Sequence, residues 1–236
     1  MDNKKGEVSQ EIALPLFQSF DALSGIRQDS KHAEQYAPIY ACMDWTTNYI
    51  AKPHPDIGRP GVICPRVPLS LKADGLYWGL YHQEQIDEAQ ADALVDSLDD
   101  LFLSLKPVDR PHSLLKALLL VMPQNTEAAR QSVEKVQRAF KERSLKKGIL
   151  LGKFHSELRT TALNNANFRP GLSPYPILAF RYAIDTDIRF MLTTGAPAHL
   201  KIGWIHAFLE TMGDDLPQEE IQKLKQKEQE LENEDV

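Results

Sequence analysis

From Gly75 to His155 the chain alternates short apolar runs with amphipathic stretches, and few layered architectures accept that order. "GLYWGLYH" (75–82) sets Leu76, Trp78 and Leu80 on one side and Tyr77 and Tyr81 on the other, the two-residue period of a strand. "IDEAQADALVDSLDDLFLSL" (86–105) aligns Leu94, Leu98, Leu101 and Leu105 on one helical stripe, and Pro107 stops it. "SLLKALLLVMP" (113–123) reads as a second buried strand. Asn125 or Thr126 can cap the next helix, whose core face is Ala129, Val133, Val136 and Phe140, and Gly148 ends it. A third strand follows at 149–155 and a fourth at 176–184. The expected fold is α/β (α+β) and single-domain. It has a three- to four-stranded, mostly parallel βαβαβ core with an added strand, flanked by N- and C-terminal helices. Right-handed crossovers make the first three strands parallel.

The flanks are less regular. Residues 1–10 are polar and expected to fray. Residues 10–23 and 33–51 read as helices, the second with Tyr36, Tyr40, Met43 and Ile50 on one face and Trp45 and Tyr49 beside it. Prolines at 53, 55, 60, 65 and 68 then forbid a regular helix or a central strand. An ordered, extended segment is expected there, anchored by Val62, Ile63, Val67 and Leu69. Residues 200–212 form a late helix with Leu200, Trp204, Phe208 and Met212 inward. Residues 217–236 are nearly all charge and glutamine, the composition of a solvated helix or a disordered tail. The organisation is a helical segment at 1–51, an α/β core at 52–213 and a charged tail at 214–236.

Composition removes several classes of function. The net charge of −6 and pI near 5.7 argue against a nucleic-acid binder. Two cysteines, Cys42 and Cys64, are too few for a disulfide scaffold or a four-cysteine zinc site. No apolar run approaches a membrane span, and the N-terminus lacks an apolar leader, so the reading is cytoplasmic with reduced thiols. Glycine-rich phosphate loops, His-Glu-x-x-His and Gly-x-Ser-x-Gly are absent.

The chemistry-bearing candidates lie where strands end and loops begin. His155 follows Phe154 at the exit of an apolar strand, where many α/β sites are built and where ordinary strands also end. Arg169 is held between Phe168 and Pro170 in a loop of turn formers. Arg181 lies inside a strand, which calls for an ion pair, for instance with Asp185 or Asp187, or for an anionic ligand. Cys64-Pro65 stands on the proline-rich segment, as a reactive thiolate or as a small buried hydrophobe. Asp99 and Asp100 read as a solvated helix face.

Three stretches together resemble a bacterial family of uncharacterised proteins. They are Cys64-Pro65-Arg66-Val67-Pro68 with Leu71, then Gly152-Lys153-Phe154-His155, then Asn165 through Arg181. The resemblance spans about residues 58–192 and is most specific in the third stretch. Ser156 departs from the proline that commonly follows the family's histidine. The resemblance implies a shared site and no assigned activity. In layout only, a Cys-Pro loop followed by strand, helix, strand and helix is similar to the haem-dependent amino-acid N-hydroxylases that include the guanitoxin-pathway enzyme.

Three readings follow. In the first, a small-molecule enzyme gathers Cys64, His155, Arg169 and Arg181 at the strand ends, walled by Phe154, Phe168 and Trp78. With haem bound there, His155 would ligate the iron and an arginine would hold a propionate or a substrate carboxylate, for oxygenation of a small amino or aromatic acid. In the second, there is no haem, His155 is a general base and the arginines hold a carboxylate or phosphate. In the third, the same residues are structural and the protein is a non-catalytic interaction module.

Overall fold

The computed structural model describes residues 18–26 and 34–234. Residues 1–10, most of the first expected helix (10–17) and the start of the second (33) lie outside them. The alternating segment folds as its periodicity requires. Strand β2 (Leu76–Leu80) leads to helix α4 (Glu88–Ser104), β3 (Ala117–Val121), α5 (Glu127–Lys146) and β4 (Ile149–Phe154). Strand β5 (Ile177–Tyr182) follows a long loop. Before β2 come α1 (Phe20–Ile26) and α2 (Ala37–Trp45), the latter running into a π-helical turn at Thr46–Ile50. Helix α3 (Val67–Lys72) leads into β2, and α6 (Asp187–Leu192), α7 (Ala198–Met212) and α8 (Gln218–Glu234) close the chain.

Caps are local. Asp87 and Gln90 form a reciprocal capping box on α4, and Thr126 accepts the Ala129 N–H on α5. Gly148 ends α5 at φ 74°, a conformation that glycine adopts without a Cβ penalty.

The sheet is four-stranded and mixed, extended at one edge by the two-residue strand β1 (Gln18–Ser19), in the order β1-β2-β3-β5-β4. Strands β2, β3 and β4 run the same way, as expected for βαβαβ. β5 is inserted between β3 and β4, antiparallel to both, so β2/β3 is the parallel pair. Strand alternation then makes two layers. Leu118, Leu120, Ile149, Leu151, Leu178 and Phe180 pack against α4 and α5. Leu76, Trp78, Leu80, Leu119, Val121 and Ile177 pack against α1 and α2. Burying side chains of this size removes roughly 25 cal/mol per Å² of apolar surface from water, the main term holding both layers. A third cluster joins α6, α7 and α8 through Trp204, Phe208, Leu224 and Leu231, so much of the charged tail is a docked helix.

Three local expectations are corrected. Asp99 is not on a solvated face: it is fully buried, 3.2 Å from the Ser144 hydroxyl and 3.2 Å from Lys147 Nζ. Burial pushes its carboxyl pKa up, against the pull of Lys147 and Ser144. The proline-rich segment is ordered but not wholly extended, because Pro55–Ile57 forms a 3₁₀ turn and α3 begins at Val67. Ile63 anchors it, but Leu69 is 50% exposed, since it falls on the outer side of α3. The strand expected at 113–123 is shorter, because His112–Leu115 forms a 3₁₀ turn before β3.

Candidate functional site

The pleat separates Phe154 from His155. Lys153 and His155 point to the α5 side of β4, whereas Phe154 points to the α2 side, where its ring meets Trp45 at 5.6 Å. The first functional reading gathers both round one pocket; here Phe154 meets Trp45 and His155 meets Glu134, on opposite sides of the strand.

On the α5 side, His155 enters a closed polar seam. Helix α5 lies along β4 and presents Arg130, Glu134, Gln137 and Lys141 at helical spacing. Gln137 donates to the Leu151 carbonyl at 3.1 Å, and Arg130 pairs with Glu157 at 2.8 Å. Glu134 takes the Lys153 ammonium and stands 2.9 Å from His155 Nε2. His155 Nδ1 accepts the Glu157 backbone N–H at 3.3 Å, so the proton belongs on Nε2, donated to Glu134. The hydrogen bond from His155, together with Lys153, overcomes burial and holds the Glu134 carboxyl at about 2. Both ring nitrogens of His155 are thus engaged, and its side chain is 6% exposed. This arrangement offers no free lone pair to an iron, so a haem liganded by His155 does not fit it, and no free base to a substrate.

Arg181 is also committed. It forms two bonds to Asp187, 2.7 and 2.6 Å, and a third to the Tyr182 carbonyl at 3.0 Å. Asp187, 4% exposed, also accepts the Ile184 N–H and opens α6. Burial disfavours the guanidinium charge, but Asp187 outweighs it and raises the pKa. Arg181 stands opposite Leu150, and Phe154 stands opposite Ile177, so the two lie at opposite ends of β5, roughly 13 Å apart along the strand.

The remaining candidates converge on the α2 side, at the loop-built end of the sheet. Ile50, Ile57, Ile63 and Ala162 form a small apolar cluster with Trp45, Tyr49, Cys64, Val67 and Phe168 packed against it. Trp45 also packs on the layer that holds Trp78 and Phe154. Backbone bonds shape the covering loop: Ile63 N–H to Lys52 O and Cys64 N–H to Ile50 O, each 3.0 Å. The 162–169 loop docks on it. Asn165 donates to the Asp56 carbonyl at 2.9 Å, and Phe168 stacks on His54 with centroids 4.4 Å apart. Gly58, at φ 75°, touches Asn164 so closely that a Cβ would lie 2.7 Å from its carbonyl oxygen. The long motif therefore builds a loop–loop junction. It leaves Arg169 exposed, with no ion pair or hydrogen bond among the described residues.

Sequence reasoning missed Glu134, Lys153, His54 and Thr46. Glu134 was findable from the stripe it shares with Arg130, Gln137 and Lys141. His54 has no local signal, because its partner Phe168 is brought by folding.

Charge is unevenly placed. Segment 52–72 carries Lys52, Arg59, Arg66 and Lys72 against Asp56 alone, and 153–182 carries Lys153, Arg159, Arg169 and Arg181 against Glu157 alone. Lys153 and Arg181 are paired with Glu134 and Asp187, and the two loops that dock on each other, 53–63 and 162–169, hold Asp56, Arg59 and Arg169, a net +1 within a chain of net charge −6. Two shallow clefts, about 400 and 470 Å³, lie elsewhere: one between α7 and α8, the other between the first turns of α4 and α5. Among the described residues no group of three His, Cys, Asp or Glu is placed to hold a metal ion, and no helix is long and apolar enough to cross a membrane.

Residues 39–223 match the family described as Domain of unknown function (DUF6875), and the chain belongs to it. No curated protein and no solved structure matches the chain.

Proposed function

We propose that the protein binds a small anion, a carboxylate or phosphate, at the loop-built end of its sheet, with Arg169 as the contacting cation. The observation that carries this reading is Arg169 itself, exposed on the docked 162–169 loop and without a hydrogen bond or ion pair among the described residues. Arginine's planar fork suits carboxylate and phosphate, and a rigid Phe-Arg-Pro segment holds it with little freedom to lose on binding. Cys64 lies in the cluster beneath, as a free thiol.

Thermal melting tests the reading. A ligand that binds the folded state stabilises it by about 2.7 kcal/mol at a hundred times its Kd. Phosphate or acetate should raise Tm above a chloride control of equal ionic strength, and Arg169→Ala should remove the rise. A rise that persists in Arg169→Ala, or no rise with any anion, overturns it.

A further inference from the structure

The cluster beneath the 53–63 loop has buried polar atoms without partners at its base. Its floor is the π-helical turn Thr46–Ile50, a distortion that recurs at functional sites. Trp45, just before that turn, and Thr46, its first residue, bury an indole N–H and a hydroxyl with no hydrogen-bond partner among the described residues. Thr46 is only 3% exposed. Trp78, in the layer beneath Trp45, buries a third such group, its indole N–H. Buried donors are almost always satisfied, and leaving one unpaired costs about 1–3 kcal/mol. The other atoms of this kind, on Gln124, Arg143 and Trp204, lie outside these loops.

The walls are aromatic. Tyr49, His54 and Phe168 form a continuous edge-and-face column, and Trp45 and Phe154 meet edge to face. The roof is the loop itself, which seats Ile57 and Ile63 in the cluster and closes on the Ile63–Lys52 backbone bond, a Pro53–Val62 bridge, the Asn165 bond to Asp56 and the His54–Phe168 stack. Gly58 and Gly61, at φ 75° and 95°, turn the loop in conformations that glycine adopts without a Cβ penalty. At the rim, Arg169 directly follows Phe168.

We infer that this cluster is a closed binding site for a small aromatic carboxylate, reached when the 53–63 loop lifts. The ring would lie among Trp45, Tyr49 and Phe168, and the carboxylate would face Arg169. An acceptor on the ligand would meet the Trp45 indole N–H and the Thr46 hydroxyl. The inference rests on the anion-binding reading and adds the ligand's ring to it. Apolar walls with a few placed polar groups are the usual make-up of a small-molecule site.

The test compares benzoate with acetate and with cyclohexanecarboxylate, by thermal melting and by tryptophan fluorescence. Benzoate should bind at least tenfold more tightly than either. Trp45→Phe keeps a ring and removes the N–H, and should weaken benzoate about tenfold while the free protein melts normally. Thr46→Val removes a buried unpaired hydroxyl, so it should raise the Tm of the free protein and weaken benzoate. Those opposite signs would not arise from a purely structural threonine. If acetate and phosphate bind through Arg169 but benzoate binds no better and neither variant matters, this inference falls and the anion-binding reading stands. If no anion binds, both fall.

Discussion

The two sides of β4 treat their polar groups in opposite ways. On the α5 side, Lys153, Glu134 and His155 satisfy one another, Arg130 takes Glu157, and Gln137 covers a backbone carbonyl of the edge strand. On the α2 side, Trp45 and Thr46 bury donors with no acceptor among the described residues, and none of those residues gives Arg169 a counter-ion. A satisfied network fixes how a helix sits on a strand and blunts an otherwise open sheet edge. Unsatisfied groups hold the capacity to recognise something else. A histidine at a strand exit therefore says little until its partners are known.

The largest expected effect follows from breaking the satisfied side. Glu134→Ala leaves the part-buried Lys153 ammonium without its counter-charge and the buried His155 Nε2–H without its acceptor. Removing one partner of a buried pair destabilises by about 3–5 kcal/mol. Urea unfolding at pH 7 should show most of that loss, and Glu134→Gln a smaller one. The pH dependence has a definite sign. The Glu134 carboxyl is held at about 2 when folded, below its ordinary 4.5. Its contribution is full above 4.5 and is lost as pH falls toward 2, about 3 kcal/mol over that window. Glu134→Gln should flatten this acid limb. An unchanged limb would mean that the seam is not a coupled network.

Next in size is Gly58→Ala, which attacks the loop junction. The added Cβ would meet the Asn164 backbone at a φ that non-glycine residues avoid. A loss of about 2 kcal/mol is expected. The asymmetry predicts where the damage appears. Amide hydrogen exchange should quicken in 53–63 and 162–169 and stay unchanged along α5 and β4. Uniform loosening would mean that the two sides do not open independently.

The segments that make each side were legible in the sequence, but their grouping was not. Periodicity placed β2, α4, β3, α5 and β4, because each reports a local burial pattern. The insertion of β5 between β3 and β4 is a long-range pairing that no local pattern encodes. Arg181 was read as ion-paired to Asp185 or Asp187, or as a ligand group, and the pair with Asp187 is local enough to be foreseen. Asp99 was misread because its partners, Ser144 and Lys147, arrive from the next helix. Placing Phe154 and His155 in one pocket conflicted with strand alternation, which was available from the sequence.

Lys141 sharpens the comparison, because it is a cation of the α5 stripe with no ion pair among the described residues. Its ammonium lies 3.9 Å over the Trp204 ring, and burial, with Lys153 adding to it, lowers its pKa from 10.5 to about 8. The folded state then holds fewer protons than the unfolded state between pH 8 and 10.5, so stability rises with pH across that window. Lys141→Met should stabilise by about 1–2 kcal/mol at pH 7 and remove the rise, if desolvation outweighs the cation–π contact. Destabilisation would mean that the contact with Trp204 carries the helix pairing of α5 and α7.

The smallest effect on stability belongs to Arg169. An exposed side chain without partners among the described residues should change unfolding free energy by no more than about 0.5 kcal/mol when replaced by alanine. That near-silence is informative beside Glu134→Ala. If the docked loops serve only to hold one another, Arg169→Ala should weaken their junction, and hydrogen exchange there should quicken as it does in Gly58→Ala. If they hold an anion, Arg169→Ala leaves exchange and Tm unchanged in chloride and differs from the wild type only when phosphate or a carboxylate is present. The two outcomes separate a loop clamp from a binding site without any knowledge of the natural ligand.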